Sequence, residues 1–172
     1  MEEMFDVFDI NGNHLGIRSR SFCHSENPGV YHKPVWIWVI NENNEILLQQ
    51  RSFKKKNFPG VIDAAATGHV DAGEEIIYGA KRELKEELQI DVKEEKMTHV
   101  GQFLAQQTWE LGQIYLVEID SKTKIVFDEN EIEKVFWVDF ETLKKMFKNG
   151  EFAPYEDGYT DLIVEILSGY LQ

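Results

Sequence analysis

The sequence is poor in cysteine and in long apolar runs. Cys23 is the only cysteine in 172 residues, which excludes an intrachain disulfide and a cysteine-rich zinc site and is typical of the reducing cytoplasm. The longest strongly apolar run, residues 35–40, is too short to cross a bilayer. The first residues, Met-Glu-Glu-Met-Phe-Asp, are acidic where a secretory signal is basic. We therefore expect a cytoplasmic protein with no membrane partner.

Positive charge is also scarce. The chain has 18 Lys and Arg against 31 Asp and Glu, a formal net charge of -13. Such a charge repels nucleic acid at long range, so we expect no nucleic-acid partner. An anionic small substrate would need local help, and clustered carboxylates that bind a divalent metal would provide it.

No repeat, low-complexity tract or linker divides the chain, so residues 1–172 are expected to form a single domain. Loose alternation around Asn11-Gly12-Asn13 predicts a hairpin within an N-terminal arm of residues 1–33, followed by a loop at 21–31. Periodicity and turn residues predict strands at 35–40, 46–50, 61–67, 99–106, 113–119 and 135–138, and helices at 74–88, 140–148 and 158–168. This order favours an α/β sandwich with a mixed sheet.

The clearest helix carries an acidic stripe. Apolar residues recur at spacings of three and four between positions 77 and 88, which predicts one buried helix face. Glu83, Glu86 and Glu87 fall on another narrow stripe, where like charges repel by roughly 0.2–0.5 kcal/mol per exposed pair. A bound cation would explain this arrangement. On these residues alone, a solvated surface relieved by Lys81 and Lys85 is the alternative.

The spacing of the surrounding residues extends this pattern. Gly68 is followed after five residues by Glu74, after seven more by Arg82-Glu83-Leu84, after one more by Glu86-Glu87, and then by the aliphatic Ile90. This spacing resembles the Nudix box. Gln89 departs from it, because the family has glycine there, in a conformation expected to be left-handed. The resemblance implies a Nudix αβα sandwich with a mixed sheet, in which residues 68–90 form a loop, a helix and a loop.

The resemblance also implies a metal-dependent hydrolase that cleaves a diphosphate linkage. The implied ligands of Mg²⁺, with Mn²⁺ as the alternative ion, are Glu83, Glu86, Glu87 and the Gly68 carbonyl. Arg82 is expected to orient a carboxylate such as Glu74 through its bidentate guanidinium group. A metal neutralises phosphate oxygens and lowers the pKa of a bound water. The expected substrate is a nucleoside diphosphate derivative or a similar small organic diphosphate.

Residues outside the helix are further candidates for the site. A general base is required, and Glu129 or Glu131 would serve if it is not simply part of a solvated loop. Arg51 and Lys55 precede the acidic motif in a basic segment and are candidates to bind phosphate, although lysine runs usually lie on the surface. Trp109, like the tryptophans at positions 36 and 38, would stack on a base or pack in the core.

Segments beyond the box resemble the isopentenyl-diphosphate isomerase-like branch of the family over residues 4–140. These segments are Gly12 with Gly16, the region from His32 into the apolar strand, Leu47 to Ser52, Phe58-Pro59-Gly60 and Gly68-His69. Isomerases of that branch protonate an alkene with a cysteine just before the Gly/Ser-His pair, where this chain has Thr67. His32 and His69 match isomerase ligand positions, and Glu110 is a further candidate match, while a structural role is the alternative for His69.

The missing cysteine favours a hydrolase, because an isomerase needs a proton donor at carbon. The alternatives are an isomerase-like enzyme and a sensor that binds a nucleotide derivative without cleaving it. The oligomeric state is open, a homodimer included.

Overall fold

The computed structural model describes residues 2–171. In this range the strands are Met4–Phe8 (β1), His14–Ser19 (β2), Pro34–Asn41 (β3), Ile46–Arg51 (β4), Ile62–Ala64 (β5), Ala66–His69 (β6), Met97–Ala105 (β7), Glu110–Ile119 (β8) and Ile132–Val138 (β9). The α-helices are Arg20–Cys23 (α1), Ile76–Leu88 (α2), Phe140–Lys148 (α3) and Tyr159–Ser168 (α4), and a 3₁₀ turn spans Glu94–Lys96. None of the described helices is both long and apolar enough to cross a membrane.

The main sheet is mixed. Its central path is β5-β4-β3-β8-β7, with β6 paired to β3 and β9 paired to β4. β3 and β8 run parallel, whereas the other pairs are antiparallel. All eight residues of β3 are buried, which agrees with the apolar run that the sequence shows there.

Helices cover both faces of this sheet. Side chains alternate along β3, so Trp36 and Trp38 join one core cluster with residues of α3 and α4. Val35 and Ile37 join a second cluster with the apolar face of α2. The expected αβα sandwich is therefore confirmed, with α2 and its acidic stripe on the side of the sheet opposite α3 and α4.

The N-terminal hairpin is confirmed, with β1 antiparallel to β2. Phe5 and Val7 of β1 are buried in a small cluster with Cys23. The prediction of a loop at 21–31 was partly wrong, because α1 includes the first residues of this segment. Ser19 caps α1 by accepting the backbone N–H of Phe22 at 3.3 Å, a local signal that the sequence prediction did not use.

The prediction of one continuous strand at 61–67 was also wrong, because two strands occupy this segment. β5 pairs with β4 and β6 pairs with β3, so the chain passes from one strand to another at Ala65. Four other elements begin two or three residues away from their predicted positions: α2 begins at Ile76, β7 at Met97, β8 at Glu110 and β9 at Ile132. The β7–β8 ladder extends to Ala105 and Glu110, and such pairing is decided by the partner strand rather than by local sequence.

Candidate active site

α2 packs against β6, so its acidic stripe lies beside Gly68 of that strand. A Cβ atom at Gly68 would collide with the carboxylate of Glu83, so only glycine allows this approach. The Glu83 carboxylate accepts the backbone N–H of His69 at 3.2 Å. The Glu87 carboxylate accepts the side-chain amide of Gln49 at 3.1 Å and the backbone N–H of Thr67 at 3.4 Å.

These two carboxyl groups are costly to ionise in the absence of a cation. Burial, and next the charge of Glu83, raise the pKa of Glu87 to about 8. Burial is also the main cause of the raised pKa of Glu83. Both groups therefore gain from a positive charge placed between them.

Arg82 supplies part of that charge from within the box. Its guanidinium group donates to the Glu74 carboxylate at 3.2 and 3.0 Å, to Glu83 at 2.9 Å, to Glu86 at 3.3 Å and to the His69 carbonyl at 2.7 Å. The hydrogen bond to Glu74 is the first cause of the raised pKa of Arg82. The expected Arg82–Glu74 pair is thus present, and the same side chain fixes two of the stripe glutamates.

One large cleft, about 1020 Å³, borders most of the residues singled out in the sequence. Its lining includes Gly68, Arg82, Glu83, Glu86, Glu87, Arg51, Lys55, Trp109 and Glu131. Glu129 is not among the lining residues. The buried Nε of Arg51 has no hydrogen-bond acceptor within residues 2–171, and Lys55 forms an ion pair with Glu131.

The tryptophans divide between core and cleft. Trp38 is 1% exposed and belongs to the core. Trp36 is buried but also borders the cleft, and Gly112 beneath its ring leaves no room for a Cβ atom. Trp109 has a left-handed backbone, φ 56°, packs against Tyr31 with ring centroids 5.2 Å apart, and lines the cleft.

Three histidines and a glutamate meet at the same cleft: His24, His69 and Glu110 line it, and the buried His32 lies beside them. One potential ligand atom from each of His24, His32, His69 and Glu110 lies within 4.8 Å of the others. Within residues 2–171, this is the one group of three or more His, Cys, Asp or Glu gathered so closely, and the box glutamates do not form such a group. His24 is new, because its position just after α1 carries no sequence motif.

Burial keeps the imidazoles of this histidine cluster (His24, His32, His69 and Glu110) neutral, as metal ligands must be, although the charge of Arg20, 3.2 Å from Nδ1 of His69, opposes a cation there. Both ring nitrogens of His32 are buried without a hydrogen-bond partner in the described chain, and burial lowers the pKa of His32 to about 3. Burial likewise lowers the pKa of His69. Neutral imidazoles keep the lone pairs that a metal requires. Burial raises the pKa of Glu110 to about 7.

Comparisons with known proteins agree with the fold and with the box. The family model described as the NUDIX domain matches residues 30–157. A Nudix hydrolase of Clostridium acetobutylicum is 28% identical, over 96% of this chain and 97% of its own. Isopentenyl-diphosphate Delta-isomerase 1 of Mesocricetus auratus is 30% identical, over 86% of this chain and 74% of its own.

A solved structure extends the likeness to the whole fold. A protein of Deinococcus radiodurans superposes with a TM-score of 0.73, over 99% of this chain and 100% of that chain, at 20% identity. The family model spans most of the sequence, and the mixed-sheet sandwich matches that neighbour from end to end. The chain is a member of the Nudix hydrolase family.

Proposed function

We propose that this Nudix hydrolase cleaves a diphosphate linkage in a nucleoside diphosphate derivative or a similar small organic diphosphate, with Mg²⁺ or Mn²⁺ as cofactor. One observation carries the proposal: the box glutamates share a cleft with the cationic side chains of Arg51 and Lys55. A divalent ion held by the glutamates, together with these two cations, would offset the negative charge of a diphosphate.

The acidic side of the cleft suits a hard divalent cation. Glu83, Glu86 and Glu87 would hold it with the Gly68 carbonyl, because oxygen atoms are the ligands that Mg²⁺ prefers. The raised pKa values of Glu83 and Glu87 support this fit, since both carboxylates need positive charge. The bound ion would neutralise phosphate oxygens and lower the pKa of an attacking water.

The basic side of the cleft would bind the phosphates and control the general base. Lys55 is paired with Glu131, which is 56% exposed. A phosphate that attracts Lys55 would weaken this pair and leave the Glu131 carboxylate to accept a proton from water. Arg82 would act on the substrate indirectly, by holding Glu83 and Glu86.

The test is a product assay on a panel of nucleoside and non-nucleoside diphosphates with Mg²⁺ or Mn²⁺. We expect cleavage of at least one phosphorus–oxygen–phosphorus linkage. Glu86→Gln is expected to lower kcat by about 10²-fold or more, the usual loss when one charge-stabilising group is removed. Lys85→Ala, on the exposed side of the same helix, is the control and should retain wild-type activity.

An isomerase-like activity is the second candidate, favoured by the histidine cluster and by relatives named isopentenyl-diphosphate isomerases. A site rich in imidazole suits iron or zinc better than Mg²⁺. Thr67 opposes this candidate, because its hydroxyl is a poor acid where a proton must reach carbon. Conversion of isopentenyl diphosphate to its isomer, without release of phosphate, would overturn the hydrolase proposal.

A further inference from the structure

A buried carboxylate that lines the cleft accepts hydrogen bonds from residues 2–171 through one of its two oxygens and not through the other. Asp63 lies on β5 opposite Gln49 of β4 and is 7% exposed. Its Oδ1 accepts the backbone N–H of Ala64 at 2.8 Å and the hydroxyl group of Tyr155. The described residues provide no donor to Oδ2, and this atom is not sealed from the cleft that Asp63 lines.

The surroundings of Asp63 make the free oxygen costly. Trp36, Phe103 and Tyr155 line the same cleft, with the Trp36 ring centroid 6.3 Å from that of Phe103 and 6.1 Å from that of Tyr155. Of these three, Tyr155 contacts Asp63 directly, and an aromatic ring replaces water poorly around an anion. Burial raises the pKa of Asp63, opposed by the hydrogen bonds from Tyr155 and Ala64 and by the charge of Arg51. A further donor at Oδ2 would stabilise the carboxylate.

An anchoring role for Asp63 accounts for only half of these contacts. Holding Tyr155 requires one acceptor, and Oδ1 provides it. A neutral acceptor such as an amide oxygen would do the same without the cost of burying a charge. The second oxygen, open to the cleft, therefore needs a different explanation.

We propose that Asp63 determines substrate specificity, with Oδ2 accepting a hydrogen bond from an N–H or O–H group on the organic half of the diphosphate, beside the aromatic wall of Trp36, Phe103 and Tyr155. This inference rests on the proposed function. Gln49, the strand neighbour of Asp63, also donates to Glu87, so the donor group would lie close to the reacting phosphates. A hydrocarbon tail against Oδ2 would displace water without replacing its hydrogen bond.

Asp63→Asn tests the proposal directly. The Asn oxygen can still accept from Tyr155 and Ala64, whereas its NH₂ group places a donor where Oδ2 was an acceptor. The substrates are nucleoside diphosphate pairs that differ by one donor: adenosine with purine riboside, guanosine with inosine, and ribose with 2′-deoxyribose. We expect wild-type kcat/KM to favour the donor-bearing member of at least one pair by about tenfold or more.

In Asp63→Asn this preference should fall to within about threefold, mainly through KM. Tyr155→Phe is the matched control, because it removes the partner of Oδ1 and leaves Oδ2 in place. It should lower Tm yet keep the wild-type preference, whatever its overall rate.

Three outcomes contradict the proposal. One is a wild-type enzyme that cleaves both members of every pair equally well, and another is an Asp63→Asn enzyme with the wild-type preference. The third is a Tyr155→Phe enzyme that loses the preference as fully as Asp63→Asn, since Asp63 would then act through folding alone. If the wild type cleaves no diphosphate at all, the proposed function itself fails, and this inference with it.

Discussion

The buried carboxyl group of Glu87 lies near other carboxyl groups, and this placement lowers the free energy of unfolding by a measurable amount. Its pKa is raised to about 8 from 4.5, so between these values the folded state binds more protons than the unfolded state. Stability must therefore fall as pH rises across that window, and the full penalty is present above about pH 8. Below about pH 4.5 the group is protonated in both states and contributes nothing.

Glu87→Gln should consequently stabilise the metal-free protein at high pH while abolishing activity. At pH 8.5 we expect the free energy of unfolding of the variant to exceed that of wild type by about 1–3 kcal/mol. This is less than the full conversion of the pKa shift at about 1.4 kcal/mol per unit. At pH 4.5 the two proteins should be about equally stable. Urea denaturation of both proteins at the two pH values measures this. A variant that is less stable than wild type at both would show that the carboxylate is structural.

Arg82 is expected to act through the carboxylates that it holds. Its guanidinium group donates to Glu74, Glu83 and the His69 carbonyl at the same time. The ammonium group of lysine cannot reproduce this planar geometry. Arg82→Lys should weaken divalent-metal binding by about 10–100-fold, the usual effect of losing a group that orients ligands. Calorimetric titration with Mn²⁺ measures it, with Lys85→Ala as the unchanged control. Wild-type affinity in Arg82→Lys would mean that charge alone suffices.

The sequence predicted the site residues that belong to one local pattern. Glu83, Glu86 and Glu87 could be placed on a shared stripe because helix geometry relates them directly. His24, just after α1, and Asp63, on β5, could not be placed, because they reach the cleft through contacts between segments distant in sequence. His24 is revealed by its proximity to His32, His69 and Glu110, and Asp63 by its burial beside the cleft, and both features exist only once the chain has folded.

At the level of elements, the backbone at the C-terminal end of α2 is strained. Gln89 follows the helix with a left-handed backbone, φ 53°, as expected from the glycine of the family pattern. Residues other than glycine adopt this conformation at a cost of about 1 kcal/mol. Gln89→Gly should therefore raise the free energy of unfolding by about 0.5–1 kcal/mol, measured by urea denaturation.

Gln89→Ala is the matched control for this change. It removes the same side chain but keeps the Cβ atom, so its stability should stay within about 0.5 kcal/mol of wild type. Equal stabilisation by alanine and glycine would assign the effect to the lost side chain instead of to the backbone.

Elements with a strong period were predictable, and those defined by pairing were not. α3 was placed at its observed bounds, and the structure shows that both its apolar face and its cap at Asp139 are local features of the sequence. β5 and β6 were merged because both are short and alternate weakly, and only their separate partners, β4 and β3, distinguish them. Turn residues gave no sign of the change of partner at Ala65.

At the scale of the whole molecule, self-repulsion should limit stability. The net charge of -13 disfavours the compact state, and salt screens it because the Debye length falls from about 30 Å at 0.01 M to about 8 Å at 0.15 M. Raising NaCl over this range at pH 7.5 should increase Tm by about 2–5 °C. Near the sequence pI of about 4.8, the net charge vanishes and the same addition should leave Tm almost unchanged. A salt response of equal size at both pH values would contradict net repulsion, because screening can only relieve a charge that the protein carries.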